Sequence, residues 1–304
     1  MTNCRGTLAL LLVAATLAGC GAATGDNGGT DGGTDQPWRP KPGTTWQWQI
    51  TGDVRAPFHQ VDMYDIDLED AVPSARTRKI PGYGAVRWPT GQNAGVVDQL
   101  HDAGIIVICY LDTGAYESYR PDAHLFPKDV IGNSSGWENE NWLDLRRTSW
   151  HKFAPIMWSR LRLAAEIGCD GVEPDENNPL GNDPGFPIAA ADEKAWYLEV
   201  ARQAHRLGLS VGMKNGLEVT DEDTVAAFDW ALNEECFYYD ECDKQAAFVT
   251  AGKALFQTEY VSDWKSKGAD TLPKVADKVC DDARKRQFST LVKGTVPDNS
   301  FVAC

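Results

Sequence analysis

Short apolar runs that end in acidic or polar residues recur along this chain, separated by stretches with helical apolar spacing. That alternation limits the fold more than any other feature. Eight runs read as strands: 46–50, 61–67, 105–111, 169–175, 209–213, 229–234, 254–260 and 288–292. The run at 105–111 is continuously apolar, as a strand covered on both faces requires. Between the runs, Val96, Val97, Leu100 and Ala103 share one helical face, and Gly104 follows as a stop. Phe153, Ile156, Met157, Ala164 and Ile167 form a second stripe stopped by Gly168. Tyr197, Val200, Ala201 and Ala204 form a third, closed by Gly208, and a further helix spans 273–286. Strands alternating with helices imply a parallel sheet. An open doubly wound sheet would carry a Gly-x-Gly-x-x-Gly turn after an early strand, which this sequence lacks. The expected fold is α/β, a single-domain (β/α)₈ TIM-type barrel.

A barrel of this kind presents its chemistry at the C-terminal ends of the strands. Those ends collect Asp65, Asp67, Tyr110, Asp112, Glu173, Asp175, Lys214, Asn215, Glu234 and Glu259. One acid on a loop is ordinarily a solvated surface charge. Acids recurring at one topological position repel each other and ask for a chemical reason. Cleavage of a glycosidic bond supplies one, because it needs two carboxyl groups flanking the bond. Asp175 and Glu234 follow the fourth and sixth strands and can face each other across the mouth. Lys214 and Asn215 follow the strand between them, placed to bind sugar hydroxyls or to shift a carboxyl pKa. Trp48, Tyr64 and Tyr110 either offer ring faces to a sugar or pack in the barrel core.

The ends of the chain read differently. Arg5, the apolar run 8–17 and the small residues before Cys20 have the order of a bacterial signal peptide over 1–19, with Cys20 as the lipidated mature N-terminus. Residues 20–44 are rich in Gly, Thr, Asp and Pro and read as a flexible tether, which leaves 45–304 as the catalytic domain. The resulting expectation is an extracellular lipoprotein held to the membrane by its lipid alone. The net charge of −15 argues against nucleic acid as a partner and permits a cationic substrate. Cys109, Cys169, Cys236, Cys242, Cys280 and Cys304 remain after the leader, an even number that suits disulfides. Cys236 and Cys242 form the expected pair just beyond the sixth strand, and Cys280–Cys304 and Cys109–Cys169 are weaker expectations. No metal-ligand spacing appears, and no cofactor is expected.

Several motifs, in this order, carry a family resemblance. They are Trp46-x-Trp48, Tyr64-Asp65-Ile66-Asp67, Val107-Ile108-Cys109-Tyr110, Glu117-x-x-Arg120-Pro121-Asp122 and Trp142-Leu143-Asp144. They continue with Gly168-Cys169-Asp170-Gly171-Val172-Glu173-Pro174-Asp175, Lys214-Asn215, Asn233-Glu234-x-Cys236, Glu241-Cys242 and Glu259-Tyr260. Together they resemble the endo-α-1,4-polygalactosaminidase family of glycoside hydrolases, family 114. The resemblance implies a (β/α)₈ barrel without metal that cleaves α-1,4-linked galactosamine polymers, with Asp175 as nucleophile and Glu234 as acid/base. Asp65, Asp67 and Asp112 would then meet the ammonium groups of the sugar. The assignment expects a raised pKa at Glu234 and an Asp175 kept ionised by Lys214. Two positions depart from the family: Glu176 stands where Asn is usual, and Glu235 where Gln is common. An extended chain would turn Glu235 away from the face that carries Glu234. A carbohydrate-binding lipoprotein on the same scaffold, and a hydrolase of another α-galactosyl or amino-sugar polymer, remain open at this point.

Overall fold

The computed structural model describes residues 36–304. The leader, Cys20 and tether residues 20–35 lie outside the described residues. Eight parallel strands pair in sequence order: β1 (Trp46–Gln49), β2 (Met63–Asp67), β3 (Ile106–Asp112), β4 (Gly171–Asp175), β5 (Ser210–Lys214), β6 (Trp230–Glu234), β7 (Leu255–Tyr260) and β8 (Ser289–Lys293). Each lies within a few residues of the run that predicted it. A short ninth strand, β9 (Val302–Ala303), pairs antiparallel to β8. The crossovers carry α1 (Val96–Asp102), α2 (Ala154–Ile167), α3 (Ala190–His205) and α4 (Glu222–Ala227), then α5 (Cys236–Tyr239) with α6 (Ala246–Thr250), and α7 (Val261–Trp264) with α8 (Leu272–Arg286). Two antiparallel additions escaped the sequence reading. A hairpin joins Arg76–Ile80 to Gly84–Trp88, and a three-stranded patch after β3 combines Ala115–Glu117, Glu140–Leu143 and Ile131–Ser134. Their short, mixed-polarity strands lack the apolar runs that marked the parallel ones.

The period-2 alternation of side chains divides the core. Trp46, Trp48, Met63, Ile108, Trp230, Leu232, Phe256 and Leu291 pack together on the concave face. Val107, Cys109, Val172, Val211, Ala231 and Leu255 point to the helices. Room for the large inner rings comes from glycine: a Cβ on Gly212 would fall inside the Trp230 indole.

The sheet curls until its ends meet through side chains and the tail. Trp46 Nε1 on β1 donates to the Ser289 carbonyl on β8, 2.8 Å away. Among the described residues the two strands share no backbone ladder. The C-terminal segment fills the seam instead, with Pro297 O accepting from Ile50 N and Asn299 O accepting from Gln47 Nε2. Lys293 Nζ donates to Gln47 Oε1 and Asp298 O, 2.7 Å each.

The packed unit begins before residue 45. Pro40 O accepts from Ala254 N, and Trp38 packs on the inner cluster, so residues 37–44 belong to the fold rather than to the tether. No helix among the described residues is long and apolar enough to cross a membrane.

All three expected disulfides are present: Cys109–Cys169, Cys236–Cys242 and Cys280–Cys304.

Candidate active site

At the C-terminal ends of the strands the inward positions change from apolar to ionisable. Lys214, the last residue of β5, is buried with three carboxylates on its ammonium: Glu173 Oε1 at 2.6 Å, Asp175 Oδ2 at 3.0 Å and Glu234 Oε2 at 3.4 Å. The Trp48 ring lies under the same ammonium, 4.5 Å from its centroid, and Trp48 Nε1 donates to Glu173 Oε2. Glu173 and Asp175 both reach inward because they stand two residues apart on β4. The shared nitrogen caps the gap between the bound oxygens of Asp175 and Glu234 at about 6.4 Å, the value if contacts of 3.0 and 3.4 Å pointed in opposite directions.

Glu234 is held from three sides. Tyr260 OH donates to Oε1 at 2.7 Å, Asn215 Nδ2 to Oε2 at 3.1 Å, and Lys214 adds its charge. The residues just after β4, β5 and β6 are Glu176, Asn215 and Glu235, and each takes positive φ, +55°, +48° and +62°. Such turns are strained for non-glycine residues and re-aim the chain at the mouth.

The pKa shifts of the pair differ from the sequence expectation. Burial is the largest influence on Asp175 and raises its pKa; the neighbouring Glu234 charge adds to this, and Lys214 only partly offsets it. Burial also acts upward on Glu234, but Lys214, Tyr260 and Asn215 together outweigh it and leave its pKa lowered. Both shifts run opposite to that expectation, upward at Asp175 and downward at Glu234. Asp65 is fully buried, and burial with the adjacent Glu173 charge raises its pKa well above the carboxylate range. Both effects favour its neutral form beside Glu173. Burial likewise pushes Glu173 up to about 7.

The remaining predicted residues separate. Tyr110 OH donates to Asp112 Oδ1 at 2.9 Å, and Asp112 stands beside Asp175 in register. Asp67 faces the mouth, yet Arg120 holds it through Nη1 and Nη2 at 3.2 and 2.8 Å, so its charge is already paired. Tyr64 and Glu259 do not belong to the site. Tyr64 lies on the outer face of β2, next to the inward Asp65, and its hydroxyl accepts from His59 N. Glu259 lies on the outer face of β7, where Trp264 Nε1 and Phe237 N donate to it. Its neighbour Tyr260 is the inward residue, and counting alternate positions from Phe256 would have found it. Glu235, turned by its positive φ, is pushed up to about 8 by burial and the Asp263 and Glu259 carboxylates, away from Lys214.

Glu140 and Arg160 were not anticipated either, since they lie on the unread patch and inside a helix. Arg160, 2% exposed on α2, donates to both oxygens of Asp122, to Glu117 Oε2 and to the Asp112 carbonyl. It thereby ties the Glu117-x-x-Arg120-Pro121-Asp122 motif to the end of β3. Oxygens of Asp112, Glu117 and Glu140 come within 4.8 Å of one another. A separate groove of about 570 Å³ between Trp46, Phe288, Leu291 and Phe301 contains no acid and takes no part in this chemistry.

A curled parallel sheet whose concave end gathers carboxyls around one lysine defines a hydrolase of the carboxylate type. The chain belongs to glycoside-hydrolase family GH114, whose family model matches residues 30–304. Ega3 of Aspergillus fumigatus, solved in complex with galactosamine, is 30% identical, with a TM-score of 0.73 over 89% of this chain and 99% of that one. The glycoside hydrolase domain of PelA from Pseudomonas aeruginosa shares the fold at 14% identity, with a TM-score of 0.59 over 85% of this chain and 98% of that one. No curated protein matches the sequence.

Proposed function

We propose that this glycoside hydrolase is an endo-acting enzyme that cleaves α-1,4-linked galactosamine-containing polysaccharide, with Asp175 and Glu234 as its catalytic pair on a (β/α)₈ barrel closed by the C-terminal tail. The observation that carries the reading is the Lys214 ammonium, which joins these two carboxylates at the mouth. Similarity to the galactosamine-bound Ega3 supports the substrate class. Asp175 attacks the anomeric carbon as the glycosidic C–O bond breaks, and Glu234 gives its proton to the departing oxygen. Glu234 then takes a proton from water, whose oxygen displaces Asp175 and restores the original configuration. A retaining pair stands about 5–5.5 Å apart and an inverting pair about 6.5–9.5 Å. The lysine-bound oxygens lie within about 6.4 Å of each other, and the configuration of the first product decides between the two routes. The enzyme acts outside the cell as a lipoprotein anchored through Cys20; three disulfides suit an oxidising compartment.

The raised pKa of Asp175 and the lowered one of Glu234, which Tyr260, Asn215 and Lys214 hold as an anion, favour a second reading with the roles exchanged, Glu234 attacking and Asp175 donating. One experiment separates them. Asp175→Asn and Glu234→Gln are assayed on the polymer and on a nitrophenyl galactosaminide, whose leaving group needs no proton. Both variants should fail on the polymer. If Glu234→Gln still releases nitrophenolate and Asp175→Asn does not, the first reading stands, and the opposite pattern selects the second. Near-wild-type polymer cleavage by both variants rules out the pair. An inverted first product removes the nucleophile role from either residue.

A further inference from the structure

Four large apolar side chains are exposed among the described residues: Tyr119 at 61%, Trp137 at 64%, Tyr239 at 60% and Val296 at 42%. One exposed ring needs no explanation, but these four are not scattered. Each stands on a segment that follows the C-terminal end of a parallel strand: Tyr119 and Trp137 after β3, Tyr239 after β6 and Val296 after β8. Among the described residues, the N-terminal ends of the strands and the long outer helices carry none. The protein leaves its rings uncovered only at the mouth.

Local contacts hold these rings in place. Tyr119 OH donates to Glu117 Oε1 at 2.7 Å, and the Arg120 guanidinium lies 5.2 Å from the ring centroid. Trp137 stands in the turn between Ile131–Ser134 and Glu140–Leu143. Its amide donates to Ser135 Oγ, and that hydroxyl donates to Glu140 Oε1 at 2.6 Å, which pins the turn to the mouth. Tyr239 ends α5, inside the loop that the Cys236–Cys242 bond closes just beyond Glu234, and Tyr238 meets it edge-on at 4.9 Å. The strand order β3-β4-β5-β6 sets Asp175 and Lys214 between the two groups of rings, with Glu234 beside the second.

We propose that Tyr119 and Trp137 on one flank, and Tyr239 on the other, are stacking platforms for sugar units on either side of the cleaved linkage. This inference rests on the polysaccharide reading above and adds how the chain is gripped. A pyranose ring presents a patch of C–H groups that covers an aromatic face, and covering it removes apolar surface from water. Rings on both flanks hold the interior of a chain, whereas a blind pocket would hold only its end.

The test compares wild type with Trp137→Ala, Tyr239→Ala, Trp137→Phe and Tyr239→Phe. Kinetics are measured on the α-1,4-galactosamine polymer and on a nitrophenyl galactosaminide. Calorimetric titration uses galactosamine and a size-selected galactosamine oligosaccharide long enough to span both flanks. Wild type should bind the oligosaccharide more tightly than the monosaccharide. Each alanine variant should lose about three- to tenfold in kcat/KM on the polymer, mainly through KM, and a similar factor in oligosaccharide affinity. The loss should be smaller on the nitrophenyl galactosaminide, and the phenylalanine variants should recover most of it because the ring face is kept. Melting temperatures should match wild type, since both side chains are exposed. Wild-type polymer KM and oligosaccharide affinity in the alanine variants overturn the platforms. Phenylalanine variants as weak as the alanine ones overturn stacking, and a loss confined to one flank overturns the two-sided grip. If wild type does not cleave the polymer, the proposed function fails. Ring-dependent oligosaccharide binding would then still sustain the platforms, and its absence would remove them too.

Discussion

Lys214 is 1% exposed, yet three carboxylates lie within 3.4 Å of its ammonium. One positive charge cannot balance the mouth, so several acids hold protons instead. Burial, with Asp175 and Glu140 nearby, pushes Glu176 up to about 9; burial pushes Glu140 to about 7 and Glu235 to about 8. A carboxyl whose folded pKa exceeds its unfolded value of about 4.3 holds its proton more tightly in the folded state. Its contribution to stability is complete below the unfolded pKa and is lost as pH rises through the folded one. The melting temperature should therefore fall as pH rises from about 5 to about 9. Calorimetry across that window checks it, and Glu176→Gln should flatten the upper part of the slope. A melting temperature that rises over the window contradicts the protonation pattern. Asp175, Glu234 and Lys214 were legible at this scale because each ends a strand. Tyr260 was within reach of the same alternation, whereas Glu140 was not, since nothing local ties its patch to β3.

β5 and β6 deliver Lys214 and Glu234, so their spacing sets the site. That spacing depends on Gly212, opposite Trp230 in register, with the indole filling the place of a side chain. The ring cannot slide away freely, because Trp230 Nε1 donates to Ser210 Oγ at 3.0 Å. Gly212→Ala should cost about 1–3 kcal/mol by overpacking. It should also lower kcat, since the displaced strands carry Lys214 and Glu234 two to four residues further on. Urea unfolding checks the first effect through its midpoint, and turnover on the polymer checks the second. A variant with the wild-type midpoint would show that the strands yield without strain.

On the scale of the whole molecule, the first and last parallel strands meet through a tail rather than a ladder. The Cys280–Cys304 bond fastens that tail to α8, closing a loop of sequence separation 24. Restricting such a loop in the unfolded chain stabilises by about 3 kcal/mol on the chain-entropy account. Replacing both cysteines by serine should lower stability by that order and speed hydrogen exchange at the Ile50 amide, which donates to Pro297 in the seam. Unchanged exchange at Ile50 would mean that the tail holds its place without the bond.

The sequence by itself determined the parallel strands, their order, the positions of the main helices, the family and the catalytic pair as candidates. Those follow from local information: apolar runs, glycine stops, and acids at strand ends. The tertiary structure alone decided which face each strand-end residue takes and what stands across from it. Tyr64 and Glu259 turn outward and Tyr260 inward because pleat phase is set by packing over the whole sheet. The opposite pKa shifts of Asp175 and Glu234 likewise depend on burial and on one lysine from the strand between them, and neither is a local property of the chain.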